Sequence, residues 1–186
     1  VKQLHEHQTL STHRPAPRRY AERRSASPRI TTQRNDIKML VLAIDPGAIS
    51  AAWGLLGPGV CMADDIPVAD KMINAAGLAD MVAGSGADVV VVERVNAFPG
   101  QGVSSSFRFG KGTGIIIGVV AALGFKMIEV APTLWKKHFR LGPDKEQARA
   151  LAIKTFPGAA KNLSRVKDAG RAEALLMASW FLETHK

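Results

Sequence analysis

Four consecutive valines, Val89 to Val92, constrain this chain more than any other stretch. A strand with one wet face alternates apolar and polar residues. An unbroken β-branched run has no face to give to water, so it reads as a strand buried on both sides, at the centre of a sheet covered by helices. The run ends on an acid, Glu93. An earlier stretch has the same form: Leu40-Val41-Leu42-Ala43-Ile44 drives into Asp45, and Pro46-Gly47 stops it at once. A carboxylate is expensive to bury unless it is paired or binds a metal. Taken singly, Asp45 reads equally well as a turn cap. Two acids arriving at strand ends in the same way favour a carboxylate pair presented at one edge of a sheet.

The remaining elements follow in order. Residues 38–45, 51–56 and 60–66 read as three strands joined by short Gly/Pro turns, an antiparallel meander. Helical spacing is expected over 70–83, closed by Gly84-Ser85-Gly86. That helix lets the valine strand run parallel to the first strand through a right-handed crossover, so that Asp45 and Glu93 emerge at the same end. Two acids in one place repel unless a cation lies between them. Residues 96–114 read as a polar, Gly-rich loop, and 115–123 as a buried helix in which Gly118 allows close packing. A fifth strand covers 125–130. Short helices follow over 133–139 and 144–156, the second with Asp144 and Gln147 spaced as a capping box. The last helix begins near Asp168 and carries Glu173 in an otherwise apolar run. Asp168 suits an N-cap; Glu173, on a face that must pack on the sheet, does not. The fold class expected is therefore α/β, a five-stranded mixed sheet flanked by helices.

Charge narrows the partner. The 186 residues carry a formal net charge of +9, which points to a polyanion, nucleic acid first and an anionic membrane surface second. The surplus is uneven: residues 1–37 hold Lys2 and seven arginines against Glu6, Glu22 and Asp36. This segment lacks periodicity and is expected to be a disordered basic tail ahead of a domain over 38–186. Its Arg- and Ser-rich start resembles an organellar transit peptide, against which stand its acids and prolines. The sequence contains no run that is long and apolar enough to span a bilayer. A single cysteine, Cys61, excludes an internal disulfide and a cysteine-based zinc site, and suits a reducing compartment.

The acids to be explained are Asp45, Glu93, Asp168 and Glu173. Converging carboxylates in a basic protein suit hard divalent cations with oxygen ligands. Two such ions about 4 Å apart activate a water and stabilise the leaving oxygen in phosphodiester hydrolysis. Gly110-Lys111-Gly112-Thr113-Gly114 lacks the Walker spacing, which leaves no phosphate loop. Phe98, Phe107 and Phe109 interleave with Arg94, Arg108 and Lys111, a composition suited to phosphates and unstacked bases; core anchoring is the competing account of Phe107 and Phe109. Trp135 is read as core, and Lys136 and Lys137 as a solvated or phosphate-contacting face.

Ile44-Asp45-Pro46-Gly47, Val92-Glu93-Arg94 and the stretch from Asp168 to Ala174, in this order and spacing, resemble the RuvC-like Holliday-junction resolvases of the RNase H-like superfamily. Ala131 to Phe139 and Gly170 to Leu176 are similar to the phage and prophage branch. The resemblance covers about residues 38–184. It implies a homodimer that cuts four-way DNA junctions symmetrically with Mg²⁺ (Mn²⁺ as substitute), two ions being held by Asp45, Glu93, Asp168 and Glu173. Arg94, Phe98, Arg108, Lys111, Lys136, Lys137 and Arg171 are then the expected DNA contacts, Phe98 standing where relatives place a base-stacking aromatic. A cytoplasmic location, bacterial or phage-encoded, goes with it, organellar import being the alternative. The chain departs from the pattern in two ways. Asp168 and Glu173 are five apart where relatives keep three, and Ala169 stands where phage-type relatives often have His. These departures keep open a junction-binding protein of the same fold with impaired cleavage. An actin-like ATP-using fold would need a second domain copy, for which the chain is too short.

Overall fold

The structure, a computed structural model, describes residues 39–47, 51–96, 100 and 102–185; residues 1–38 and Phe98 lie outside them. In chain order the elements are β1 (Val41–Asp45), β2 (Ala52–Gly57), β3 (Val60–Asp65), β4 (Val68–Ala69), β5 (Met72–Ile73), α1 (Ala75–Gly84), β6 (Val89–Glu93), α2 (Val103–Ala122), β7 (Met127–Val130), α3 (Pro132–His138), α4 (Lys145–Thr155) and α5 (Ala169–Thr184). Two 3₁₀ turns, Pro157–Leu163 and Val166–Asp168, connect α4 to α5.

The main sheet has the order β3-β2-β1-β6-β7. The first three strands form the antiparallel meander, and β6 and β7 run parallel to β1. This is the mixed sheet expected from the strand pattern. All four valines of β6 are buried. Their side chains alternate across the sheet. Val41, Ala43, Val89 and Val91 enter a core with α4 and α5, while Leu42, Ile44, Val90 and Val92 enter a second core with α1 and α2. α5 lies across β1, β2 and β3. It comes closest at Gly54, where a Cβ would stand 2.7 Å from the backbone nitrogen of Leu175. Only a residue without a side chain admits that approach.

Four local expectations are corrected. The helix expected over 70–83 starts at Ala75, after Asn74 caps it by accepting from the backbone N–H groups of Ala76 and Gly77. The residues before it form the β4–β5 hairpin, whose turn is Asp70-Lys71, both at positive φ (51° and 59°). Positive φ at both central positions is the geometry that joins two tightly paired strands. The Gly-rich stretch is not a loop to Gly114: α2 begins at Val103, and Gly112, Ile116 and Val120 supply its buried stripe at four-residue steps. Gly118 is exposed on that helix and does not mediate packing among the described residues. At α4, Asp144 caps by accepting from the Glu146 N–H, but Gln147 accepts from Gly142 rather than closing a box.

Candidate active site

The two strand-end acids come together because of register. Ile44 pairs with Val92 across β1 and β6, so the next step sets Asp45 beside Glu93. Asp45 follows Val41 and Ala43, and Glu93 follows Val89 and Val91, so both carboxylates point to the α5 side of the sheet. Glu173, in the second turn of α5, is buried on that side. Gly170, one turn earlier, lies against Asp45: a Cβ there would stand 3.0 Å from Oδ2. β7 ends beside Glu93, and α3 starts two residues later, which brings Trp135 and Lys136 into the same corner.

These acids act on one another. Burial pushes the Asp45 carboxyl well above its ordinary range, and the charges of Glu93 and Glu173 push it further; Lys145 and Lys136 pull the other way. Burial raises Glu93 as well. The Trp135 indole, donating to Oε1 at 2.9 Å, partly offsets this, and Glu173 adds to it. Glu173 is held by two ammonium groups, Lys136 Nζ at 2.8 Å and Lys145 Nζ at 3.2 Å. Lys136 also lies over the Trp135 ring, 5.0 Å from its centroid. Burial works against the charge of Lys145, yet Asp45, Glu173 and Glu93 outweigh it and hold the ammonium above the usual lysine range. The cleft in front of Asp45 has a volume of about 280 Å³ and is lined by Asp45, Asp65, Lys145, Lys167 and Gly170 among others.

Asp168 belongs to a different network. Its buried carboxylate receives Arg165 Nε at 3.1 Å on both oxygens, Arg165 Nη2 at 2.8 Å and the Arg165 backbone N–H at 2.9 Å. Hydrogen bonds from Arg165 hold this carboxyl below its ordinary value. Arg171, expected to meet phosphate, is instead buried. It grips Asp65 with Nε and Nη2 (2.9 and 2.7 Å), reaches Asp64 at 2.9 Å and donates to the Asn162 carbonyl at 3.3 Å. The structure thus brings together Asp45, Glu93 and Glu173, and keeps Asp168 and Arg171 apart from them in ion pairs of their own. Arg94, Arg108, Lys111 and Lys137 are exposed. Arg108 and Lys111 stand on a helix, not on a loop. Phe107, on the same helix, is exposed and does not anchor to the core. Lys145 and the Trp135 N–H are site groups that no motif announced.

The donor set is all oxygen, and its buried acids carry mutual repulsion that a cation would relieve. That chemistry fits a hard divalent ion. As the side chains lie, no three His, Cys, Asp or Glu among the described residues are close enough together to hold one.

No protein-family model matches the chain. It is 33% identical over 93 residues to the chloroplastic Holliday junction resolvase MOC1 of Chlamydomonas reinhardtii, which covers 49% of this chain but only about a tenth (10%) of that protein's length. It is 26% identical over 148 residues to the crossover junction endodeoxyribonuclease RuvC of Parvibaculum lavamentivorans, covering 72% of this chain and 83% of the relative. Among solved structures it is similar to T. thermophilus RuvC in complex with Holliday junction substrate. There the TM-score is 0.56 at 14% identity, over 79% of this chain and 97% of the other. The fold is RNase H-like.

Proposed function

Given that the chain is RuvC-like in fold and in sequence, we propose that it is a divalent-metal-dependent endonuclease that binds four-way DNA junctions and resolves them by symmetric phosphodiester hydrolysis. The observation that carries this reading is the convergence of Asp45, Glu93 and Glu173 from β1, β6 and α5 on one side of the sheet. Those three carboxylates would hold the ion. When bound, Mg²⁺ or Mn²⁺ polarises a phosphoryl oxygen and makes a water nucleophilic near neutral pH. The chain's own groups do the rest. Trp135 orients Glu93 through its indole N–H. Gly170 leaves the Asp45 carboxylate uncrowded on the α5 side. Lys136 and Lys145 offset the acids' charge and provide ammonium groups for a phosphate entering the cleft. Exposed Arg94, Arg108, Lys111 and Lys137 bind backbone phosphates, which makes affinity steeply salt-dependent.

The active unit is proposed to be a homodimer. α2 exposes Gly110, Gly114 and Gly118 at four-residue steps, a face on which a second helix can approach closely. No helix among the described residues is long and apolar enough to cross a membrane. A cytoplasmic location is proposed, with organellar import as the alternative. Residues 1–37 are proposed as a basic arm outside the nuclease domain, and their deletion should lower the salt slope of junction binding.

A synthetic four-way junction with Mg²⁺ tests the reading: wild-type protein should cut two strands symmetrically, and Asp45→Asn should cut neither while still binding the junction in Ca²⁺. Equal cutting by both would sink the role of Asp45. A second reading, binding without cleavage, is favoured by one observation, the double ion pair that ties Glu173 to Lys136 and Lys145. Junction binding with no cutting in either Mg²⁺ or Mn²⁺ would decide for it.

A further inference from the structure

Asp168 has every mark of a structural carboxylate. It is 1% exposed, and both of its oxygens are engaged by Arg165. To reach an ion it would have to give up an arginine that is already bonded to it in fork geometry. The turn that it closes, Val166–Asp168, is held from the other side as well. Arg171, one turn into α5, ties the helix start to Asp64 and Asp65 at the end of β3 and to the Asn162 carbonyl. Within this locked turn the two remaining residues face outward. Val166 is 78% exposed, Lys167 is exposed, and both line the cleft in front of Asp45. An apolar β-branched side chain held in water beside a lysine, at the mouth of a polar cleft, matches a nucleotide backbone. There an apolar sugar face adjoins an anionic phosphate.

We infer that Asp168 is a positioning residue rather than a metal ligand: its carboxylate locks the turn before α5 so that Val166 and Lys167 form a rigid rim contacting the sugar-phosphate backbone of the substrate strand beside the Asp45 cleft. The inference rests on the nuclease reading for its substrate, but not for the latch. It leaves Glu173 as the single carboxylate that α5 contributes to the metal. It also explains why Gly170 can lie at contact distance from Asp45, because the latch fixes where the first turn of α5 passes.

The full chain carrying Asp168→Asn, Arg165→Gln, Lys167→Ala or Glu173→Gln separates the roles. Three readouts serve: metal-free thermal melts, Mn²⁺ titration, and junction affinity in Ca²⁺ across a salt series. Asp168→Asn should lower the metal-free melting temperature by about 5 °C, and Arg165→Gln, which leaves the buried acid without its partner, should lower it at least as much. Both should leave the Mn²⁺ dissociation constant within about threefold, while Glu173→Gln raises it at least about tenfold. Lys167→Ala should leave melt and Mn²⁺ affinity unchanged and reduce the salt slope of junction binding by about one. The double variant Asp168→Asn/Lys167→Ala should bind junctions no more weakly than Asp168→Asn alone, as expected when one residue acts through the other. A tenfold loss of Mn²⁺ affinity in Asp168→Asn would make it a ligand and overturn the inference, and additive losses would uncouple the turn from the substrate. A wild-type chain that takes up no Mn²⁺ sinks the proposed function instead. The metal-free melts still decide the latch, since an unchanged melting temperature in Asp168→Asn overturns it.

Discussion

Asp45 is buried against two other acids, and its proton affinity registers that. Between the ordinary carboxyl value of 3.8 and its raised folded value, the folded chain keeps a proton that the unfolded chain has released. Stability of the metal-free protein therefore falls as pH rises through that window. Asp168 has the opposite sign: its stabilisation is present above 3.8 and is lost as pH falls through its lowered folded value. Asp45→Asn should make the metal-free protein more stable at neutral pH by about 1 kcal/mol, the usual trade of stability for function at a site. The gain should shrink toward pH 4, as read by urea denaturation at several pH values; a neutral-pH gain of zero would mean that Asp45 carries no such burden. Trp135 makes a second test. Trp135→Phe keeps most of the packing but removes the N–H that meets Glu93, and it should cost about 1–2 kcal/mol of stability and about tenfold or more in metal affinity or activity. An unchanged Mn²⁺ titration would show that the indole packs without orienting. Asp45, Glu93 and Glu173 were legible in the sequence because an acid inside or ending an apolar run is anomalous. Lys145 was not, because a lysine after a capping Asp looks like any helix start, although a cation in the first turn opposes the helix dipole.

Elements positioned by long apolar runs were equally legible: the four valines require a strand covered on both sides, and the structure gives β6 inside the sheet, between the central β1 and the edge strand β7, with a core on each face. Elements whose evidence is spread thin were not. α2 is Gly- and Ser-rich through its first three turns, which lowers helix propensity. The side that packs on the core, with Gly112, Ile116 and Val120 buried and Ile115 and Val119 beside them, is a tertiary fact that favours the helix. The β4–β5 turn was hidden because Asp70 and Lys71 adopt the positive φ that Asn-Gly would have announced. Gly54 shows how strictly one element seats another. Its missing side chain lets β2 meet the α5 backbone at Leu175, close to Glu173. Gly54→Ala should push α5 off the sheet and destabilise the domain by about 1–3 kcal/mol. Because α5 carries Glu173, Mn²⁺ affinity should fall with it, unlike the effect of a core substitution remote from the site. Retained affinity with lost stability would mean that α5 shifts without moving its acid.

At the scale of the whole molecule, the candidate metal acids join parts of the chain that lie far apart in sequence. β1 closes with the N-terminal meander, β6 follows the crossover helix α1, and α5 comes last. In the metal-free state the three carboxylates repel one another across the seam between these parts, and Lys136 and Lys145, ion-paired to Glu173, offset that repulsion only in part, since Asp45 and Glu93 stay raised. A divalent ion would replace a repulsive seam with an attractive one and would bind the folded state alone, because the unfolded chain cannot assemble the three groups. At a free concentration one hundred times the dissociation constant, such an ion adds about 2.7 kcal/mol. For a domain of this size that raises the melting temperature by roughly 5–10 °C. The rise should be specific: Asp45→Asn, Glu93→Gln and Glu173→Gln should each flatten the dependence of melting temperature on Mn²⁺, while Asp168→Asn keeps it from a lower baseline. The lysines should move the curve in the other direction. Lys145→Ala should destabilise the metal-free protein and steepen its response to Mn²⁺, since it removes a resident cation that competes for Glu173. A melting temperature indifferent to Mn²⁺ in wild type and variants alike would mean that the three acids meet for a reason other than metal, with the two lysines as their permanent partners.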